Sequence, residues 1–136
     1  MIGVRAGSRT NNVLMAAKVA GIAADIPELE VDDPDGADTL VLGWGSTYGA
    51  IGAAARRVRA SGRKVATAHL RHLNPFPRNT GEVVRAYDKV LIPEMNLGQL
   101  LKLVRADFLV DAVGYNQVRG VPLRASELAE AMEALL

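Results

Sequence analysis

The chain has no cysteine. Disulfides, thiolate zinc sites, iron–sulfur ligation and a cysteine nucleophile are therefore excluded within its 136 residues. Aromatic residues make up only 4% of the sequence. The basic set Arg56, Arg57, Arg59 and Arg63 thus has no interleaved aromatics and reads as a solvated helix face, not as a nucleic-acid platform. Charge of one sign is also lacking: the formal net charge is +1, which gives no global pull toward nucleic acid or anionic lipid. The two histidines, His69 and His72, straddle a strand end with no carboxylate cluster nearby, so they do not face one metal. No apolar run approaches the roughly 20 residues of a membrane span. The start of the chain carries two arginines but no apolar stretch of the secretory kind. These absences are compatible with a cytoplasmic protein.

What is present is enough for one domain. A chain of this length buries roughly 68–70% of the surface its unfolded form exposes. Residues 1–12, rich in Gly, Ser, Thr and Asn, read as a disordered tail or as one foreign to the domain. Asn12 to Asp25 reads as a helix with Met15, Val19, Ile22 and Ile26 near one stripe, ended by Pro27. An acidic linker follows from Glu28 to Asp38, broken by Pro34 and Gly36. Residues 13–38 together read as a connector leading into a domain, outside its core.

From Thr39 to Leu136 apolar runs and helical stripes alternate. Thr39–Trp44, Lys64–Leu70, Lys89–Ile92 and Phe108–Val113 read as buried strands. Ile51, Ala54, Ala55 and Val58 mark a helix over Tyr48–Ser61, stopped by Gly62. Asn79, with Glu82 three residues on, predicts a capped helix reaching Tyr87. Leu97, Leu100, Leu101 and Val104 mark another helix. Ser126 predicts the cap of a last one with stripe Leu128, Ala131, Met132 and Leu135. Val118–Leu123, with Gly120 and Pro122, suits an edge strand. Strand and helix repeated in this way predict an α/β fold: a three-layer, mainly parallel sheet of about five strands with helices on both faces.

Three unusual loops leave the ends of the first three strands, which in a parallel sheet lie at one edge. The first is Gly43-Trp44-Gly45-Ser46-Thr47-Tyr48-Gly49. It reads either as an anion cradle at a helix N-terminus, built from Gly45, Ser46, Thr47 and Gly49, or as a tight turn with Ser46 or Thr47 as the cap. Its spacing is not that of a dinucleotide fingerprint, and no acidic residue ends the second strand to hold a ribose. The second loop, His72 to Pro77, holds Asn74 and sets Phe76 between two prolines. Phe76 is either a stiff docking knob or a plug in the domain's own core. The third carries Glu94, Asn96 and Gln99 around Gly98. Glu94 stands where a catalytic acid or base could sit, or where a carboxylate could accept loop N–H bonds and hold the edge together. Ser46 has no His and Asp partners in sequence for a hydrolase triad.

The segments LVLGWGSTYG, HLRHLNPFPRN, VLIPEMNLGQL and DAVGYNQVRGVPL resemble, in order and spacing, the C-terminal domain of the alpha subunit of 2-oxoacid:ferredoxin oxidoreductases, the 2-oxoglutarate type above all. KVAGIAADIPELEV resembles the connector that leads into it. The resemblance implies a fold similar to the transketolase C-terminal domain, with one antiparallel edge strand. It implies an oxidoreductase that converts 2-oxoglutarate and coenzyme A to succinyl-CoA, carbon dioxide and reduced ferredoxin. Thiamine diphosphate, Mg and iron–sulfur clusters are expected in the complete enzyme and none in this chain, which lacks cysteine and a G-D-G motif. The chain alone is then expected to be inactive. Its expected partners are the rest of the alpha subunit, the beta subunit and, indirectly, ferredoxin. Gly45, Ser46, Thr47, Gly49, Asn74, Phe76, Glu94, Asn96 and Gln99 are the candidate ligand- or interface-binding positions, with no individual chemical role. The other function read from the residues is a free-standing anion- or nucleotide-binding α/β domain using Gly43 to Gly49. The bare edge of an isolated domain could also self-associate.

Overall fold

The computed structural model describes residues 26–73, 75–95, 98–116 and 123–136. The helix expected over Asn12–Asp25 and the tail before it lie outside the described residues. Five strands form one sheet in the order β1-β3-β2-β4-β5: β1 (Val31–Asp32), β2 (Thr39–Trp44), β3 (Ala66–Leu70), β4 (Lys89–Glu94) and β5 (Val113–Asn116). β2, β3, β4 and β5 are parallel, and β1 pairs antiparallel with β3. Four helices are described: α1 (Tyr48–Ala60), α2 (Thr80–Arg85), α3 (Gln99–Phe108) and α4 (Ala125–Leu135).

The period of two along β2 divides the core. Leu40 and Leu42 point to one face and join β3, Val90, Ile92, Val84 of α2 and Leu100 and Val104 of α3. Val41 points to the other face and joins Leu91, Ile51, Ala54 and Val58 of α1, and Leu128 and Met132 of α4. Burial decides α1. Gly52 inside the helix costs about 1 kcal/mol relative to Ala. Ile51 and Val58 are 4% and 0% exposed, and each is worth about 1.5–3 kcal/mol once removed from water.

The acidic stretch read as a linker outside the core is part of the domain. Leu29 is buried in the first core cluster, and Val31–Asp32 adds the antiparallel edge strand. The pinning residue is Asn79. Its Oδ1 accepts the Leu29 N–H at 2.7 Å and its Nδ2 donates to the Leu29 carbonyl at 2.9 Å. Asn79 is therefore engaged with the backbone across the loop and makes no side-chain cap for α2. Because β1 runs against β3, the chain enters the domain at the end where β2, β3 and β4 finish.

The fourth strand, expected at Phe108–Val113, begins only at Val113. Leu100, Val104 and Phe108 recur every four residues, so Phe108 completes the helical stripe and packs on the first core cluster. Leu109 then adopts a left-handed conformation (φ 54°) that ends α3. Two smaller expectations also shift. β3 starts at Ala66 rather than Lys64, and Ser126 lies inside α4, whose cap position is Arg124. The edge strand expected at Val118–Leu123 falls largely on residues 117–122, outside the described residues.

Candidate functional site: the carboxyl rim of the sheet

The register places Trp44 beside Leu70, and β4 runs alongside in the same direction to end at Glu94. The three loops therefore gather at one rim, as the sequence predicts.

The first loop is a packing device. β2 ends and Gly45–Thr47 forms a single 3-10 turn into α1. Gly45 turns the chain at φ +64°, where a side chain is strained. Gly43 has a different reason. A Cβ there would lie 2.3 Å from Ile51 Cδ1 and 3.0 Å from Thr47 Oγ1, so its bareness lets α1 lie close on β2. The Thr47 hydroxyl, buried, donates to the Trp44 carbonyl at 2.9 Å, and neither Ser46 nor Thr47 caps α1. Ser46 reaches across to Met95, Oγ to Sδ 3.6 Å. Gly49 lies exposed in the first turn of α1.

The centre of the rim is Glu94. It is fully buried, and it is the one buried acid among the described residues. A buried carboxylate needs donors, and three converge on it. Trp44 Nε1 donates to Oε1 at 2.9 Å, the Leu100 N–H donates to Oε1 at 2.7 Å, and the Leu101 N–H donates to Oε2 at 3.3 Å. Gly98 at the cap position, φ 84°, has no side chain to do this. A strand-borne acid thus satisfies the first turn of α3, where the helix dipole also favours negative charge. Gln99, exposed, opens that helix.

Phe76 is half-buried against the first core cluster, its ring 5.3 Å from that of Phe108. It faces inward rather than standing out as a knob. Asn74 and Asn96 lie outside the described residues.

Sequence reasoning passes over two residues. Trp44, the chain's single tryptophan, reads there only as part of a strand end. An indole N–H that is to be buried demands an acceptor, and that signal is present in the sequence. Tyr48, at the start of α1, is 66% exposed, and its ring meets His69 edge-to-face at 5.1 Å. Burial pushes the His69 pKa below its usual 6.5, and a polar contact with the Gly45 backbone opposes this. That contact is not a well-formed hydrogen bond, since His69 Nδ1 is buried and has no hydrogen-bond partner. Two hollows adjoin this pair. One is an open groove of about 1040 Å³ bounded by α1, β1 and β3, and the other is a hollow of about 400 Å³ beside Trp44 and Leu73.

Residues 37–123 match the protein family described as pyruvate:ferredoxin oxidoreductase core domain II. The chain is 52% identical over 132 residues to 2-oxoglutarate oxidoreductase subunit KorA of Mycobacterium tuberculosis, a match that covers 93% of this chain and 20% of that protein. Its fold is similar to a chain of 2-oxoglutarate:ferredoxin oxidoreductase from Magnetococcus marinus, solved with 2-oxoglutarate, coenzyme A and succinyl-CoA bound. There the TM-score is 0.81 at 27% identity, covering 92% of this chain and 23% of that one. A split-gene transketolase, an inactive beta4 tetramer, shares the fold at TM-score 0.57 and 19% identity, over 77% of this chain and 40% of that one. The chain thus spans about a fifth of the length of the curated relative it matches.

Proposed function

Because the chain belongs to the pyruvate:ferredoxin oxidoreductase core domain II family, we propose that it is a non-catalytic domain of a 2-oxoglutarate:ferredoxin oxidoreductase alpha subunit. It supports the oxidative decarboxylation of 2-oxoglutarate to succinyl-CoA by packing its rim against thiamine-diphosphate-binding domains. The observation that carries this reading is the state of Glu94. Glu94, the one buried acid among the described residues, has both oxygens engaged by Trp44 and the start of α3.

The residues of this chain do not fit the enzyme's cofactors. Thiamine diphosphate is held through a metal that needs free oxygen ligands. Among the described residues no three His, Asp or Glu side chains lie close enough to share an ion, and Glu94 is committed to N–H donors. An iron–sulfur cluster needs thiolates, and the sequence has none. Those groups belong to the rest of the subunit and to the beta subunit, which delivers electrons to ferredoxin. Gly45, Ser46, Gly49, Asn74, Asn96 and Gln99 then serve as positions at or near the contact. A free-standing anion-binding domain is not favoured: the Thr47 hydroxyl is engaged by Trp44, and Gly43 serves the packing of α1.

Two measurements test this. The purified chain should give no turnover with 2-oxoglutarate, coenzyme A and an electron acceptor. Added to an oxidoreductase produced without this domain, it should bind and restore turnover. Activity of the chain by itself, or failure to bind the remainder, overturns the proposal.

A further inference from the structure

Tyr48 is the one large aromatic side chain that the described residues leave mostly in water, at 66% exposure. Its place is set rather than accidental. The 3-10 turn Gly45–Thr47 fixes the first residue of α1 at the middle of the rim, and the His69 ring braces the phenol from one side at 5.1 Å. The groove and the smaller hollow share Tyr48, His69 and Arg71 as walls, so Tyr48 is the ridge between two depressions. Arg71 is exposed and makes no ion pair among the described residues. A rigid tyrosine costs little conformational entropy to immobilise, and Tyr and Arg dominate the residues that hold interfaces together.

We propose that Tyr48 is the anchor of the rim's contact with the remainder of the subunit, with Arg71 as its charged companion. This rests on the reading given under Proposed function and names the residues that hold that contact. Two facts point to this occupant. In both 2-oxoglutarate oxidoreductase relatives the matching stretch is a fifth to a quarter of one longer chain, 20% and 23%. In this chain the polypeptide enters the domain on the rim side, since Val31 pairs with Ala68 and Asp32 with Thr67 as β1 runs away from that end. The complementary surface is an apolar socket for the phenol ring with a carboxylate at its lip for Arg71. Phe76, turned into the core against Phe108, is not the anchor.

The test is calorimetric titration of the chain with the thiamine-diphosphate-binding domains of the oxidoreductase, carried to about 1 mM so that a contact normally made within one chain is not missed. Tyr48→Ala should weaken binding by at least about tenfold, and Arg71→Glu by a similar factor. Leu109→Ala, at the other end of the sheet, should bind like the parent. Far-UV circular dichroism and the melting midpoint establish that each variant is folded. If the parent binds and the Tyr48 and Arg71 variants bind equally well, the anchor assignment is wrong while the domain's role stands. If the parent itself does not bind, the role fails and the anchor fails with it.

Discussion

Trp44 Nε1 donates to Glu94 Oε1 across 2.9 Å, so the ends of β2 and β4 are tied by one side-chain bond, and the same oxygen receives the Leu100 N–H at 2.7 Å. Removing the acceptor leaves three donors without their partner. Glu94→Ala should destabilise the domain by about 3 kcal/mol, lowering the melting midpoint by roughly 6–20 °C. Trp44→Phe, which removes one donor, should cost about 1 kcal/mol. Because the chain holds one tryptophan, the emission maximum of Glu94→Gln should shift from the parent's, and an unchanged spectrum would count against the bond.

Gly43 is constrained by Ile51, whose Cδ1 would lie 2.3 Å from an added Cβ. Gly43→Ala should cost about 1–3 kcal/mol by forcing the buried Ile51 side chain out of its present rotamer. Ile51→Val removes the offending methyl. The double variant should therefore recover part of the loss, a favourable coupling that a double-mutant cycle in urea would read. Additive losses would mean that Ile51 is not the obstacle.

Asn79 holds Leu29 by two bonds, one to its N–H and one to its carbonyl. Asn79→Ala should cost about 2 kcal/mol and speed hydrogen exchange at the Leu29 amide far more than at Val41 in the sheet centre. Equal acceleration at both would show global loosening and sink the local role.

Leu109 sits in the left-handed region at φ 54° with 89% of its surface exposed. A branched-chain residue is strained there and gains almost nothing from burial. Leu109→Gly should raise stability by about 0.5–1 kcal/mol, seen as a higher melting midpoint. A drop in midpoint would show that the side chain has a packing role.

Asp33 and Tyr87 close the opposite end of the domain through a 2.9 Å hydrogen bond. The Ala37 N–H holds the Asp33 carboxyl below its usual 3.8; burial opposes this, and the Tyr87 hydroxyl adds to it. Burial, then the bond to Asp33, pushes Tyr87 up to about 12. The signs are opposite. The Asp33 contribution is present above pH 3.8 and is lost as pH falls through its lowered folded value. The Tyr87 contribution is present below pH 10 and is lost as pH rises toward about 12. Asp33→Asn should flatten the acid limb of a stability–pH profile, and Tyr87→Phe the alkaline limb. Identical limbs in parent and variants would refute the linkage.

The sequence reveals whatever depends on period. The apolar run Thr39–Trp44 and the stripe Ile51, Ala54, Ala55, Val58 specify β2 and α1 as they occur. It misleads where two periods overlap: from Leu100 to Val113 apolar residues are dense enough to read as helix or strand, and only packing of Phe108 on the core decides for the helix. Caps fail for another reason. Asn79 and Thr47 have the right chemistry, but a distant backbone group and a nearer carbonyl compete for them. Glu94 is legible as either catalyst or brace, because choosing requires knowing that an indole and a helix start converge on it, and that is a fact of three-dimensional arrangement.

The direction of β1 has a thermodynamic consequence. A strand that runs away from the rim delivers the polypeptide to the domain beside the surface that faces outward there. A unit joined through that point by a short flexible tether would be held next to the rim at an effective concentration on the order of millimolar. An association too feeble to survive dilution between separate molecules would then stay closed, and small changes at its contacts would tune how often it opens.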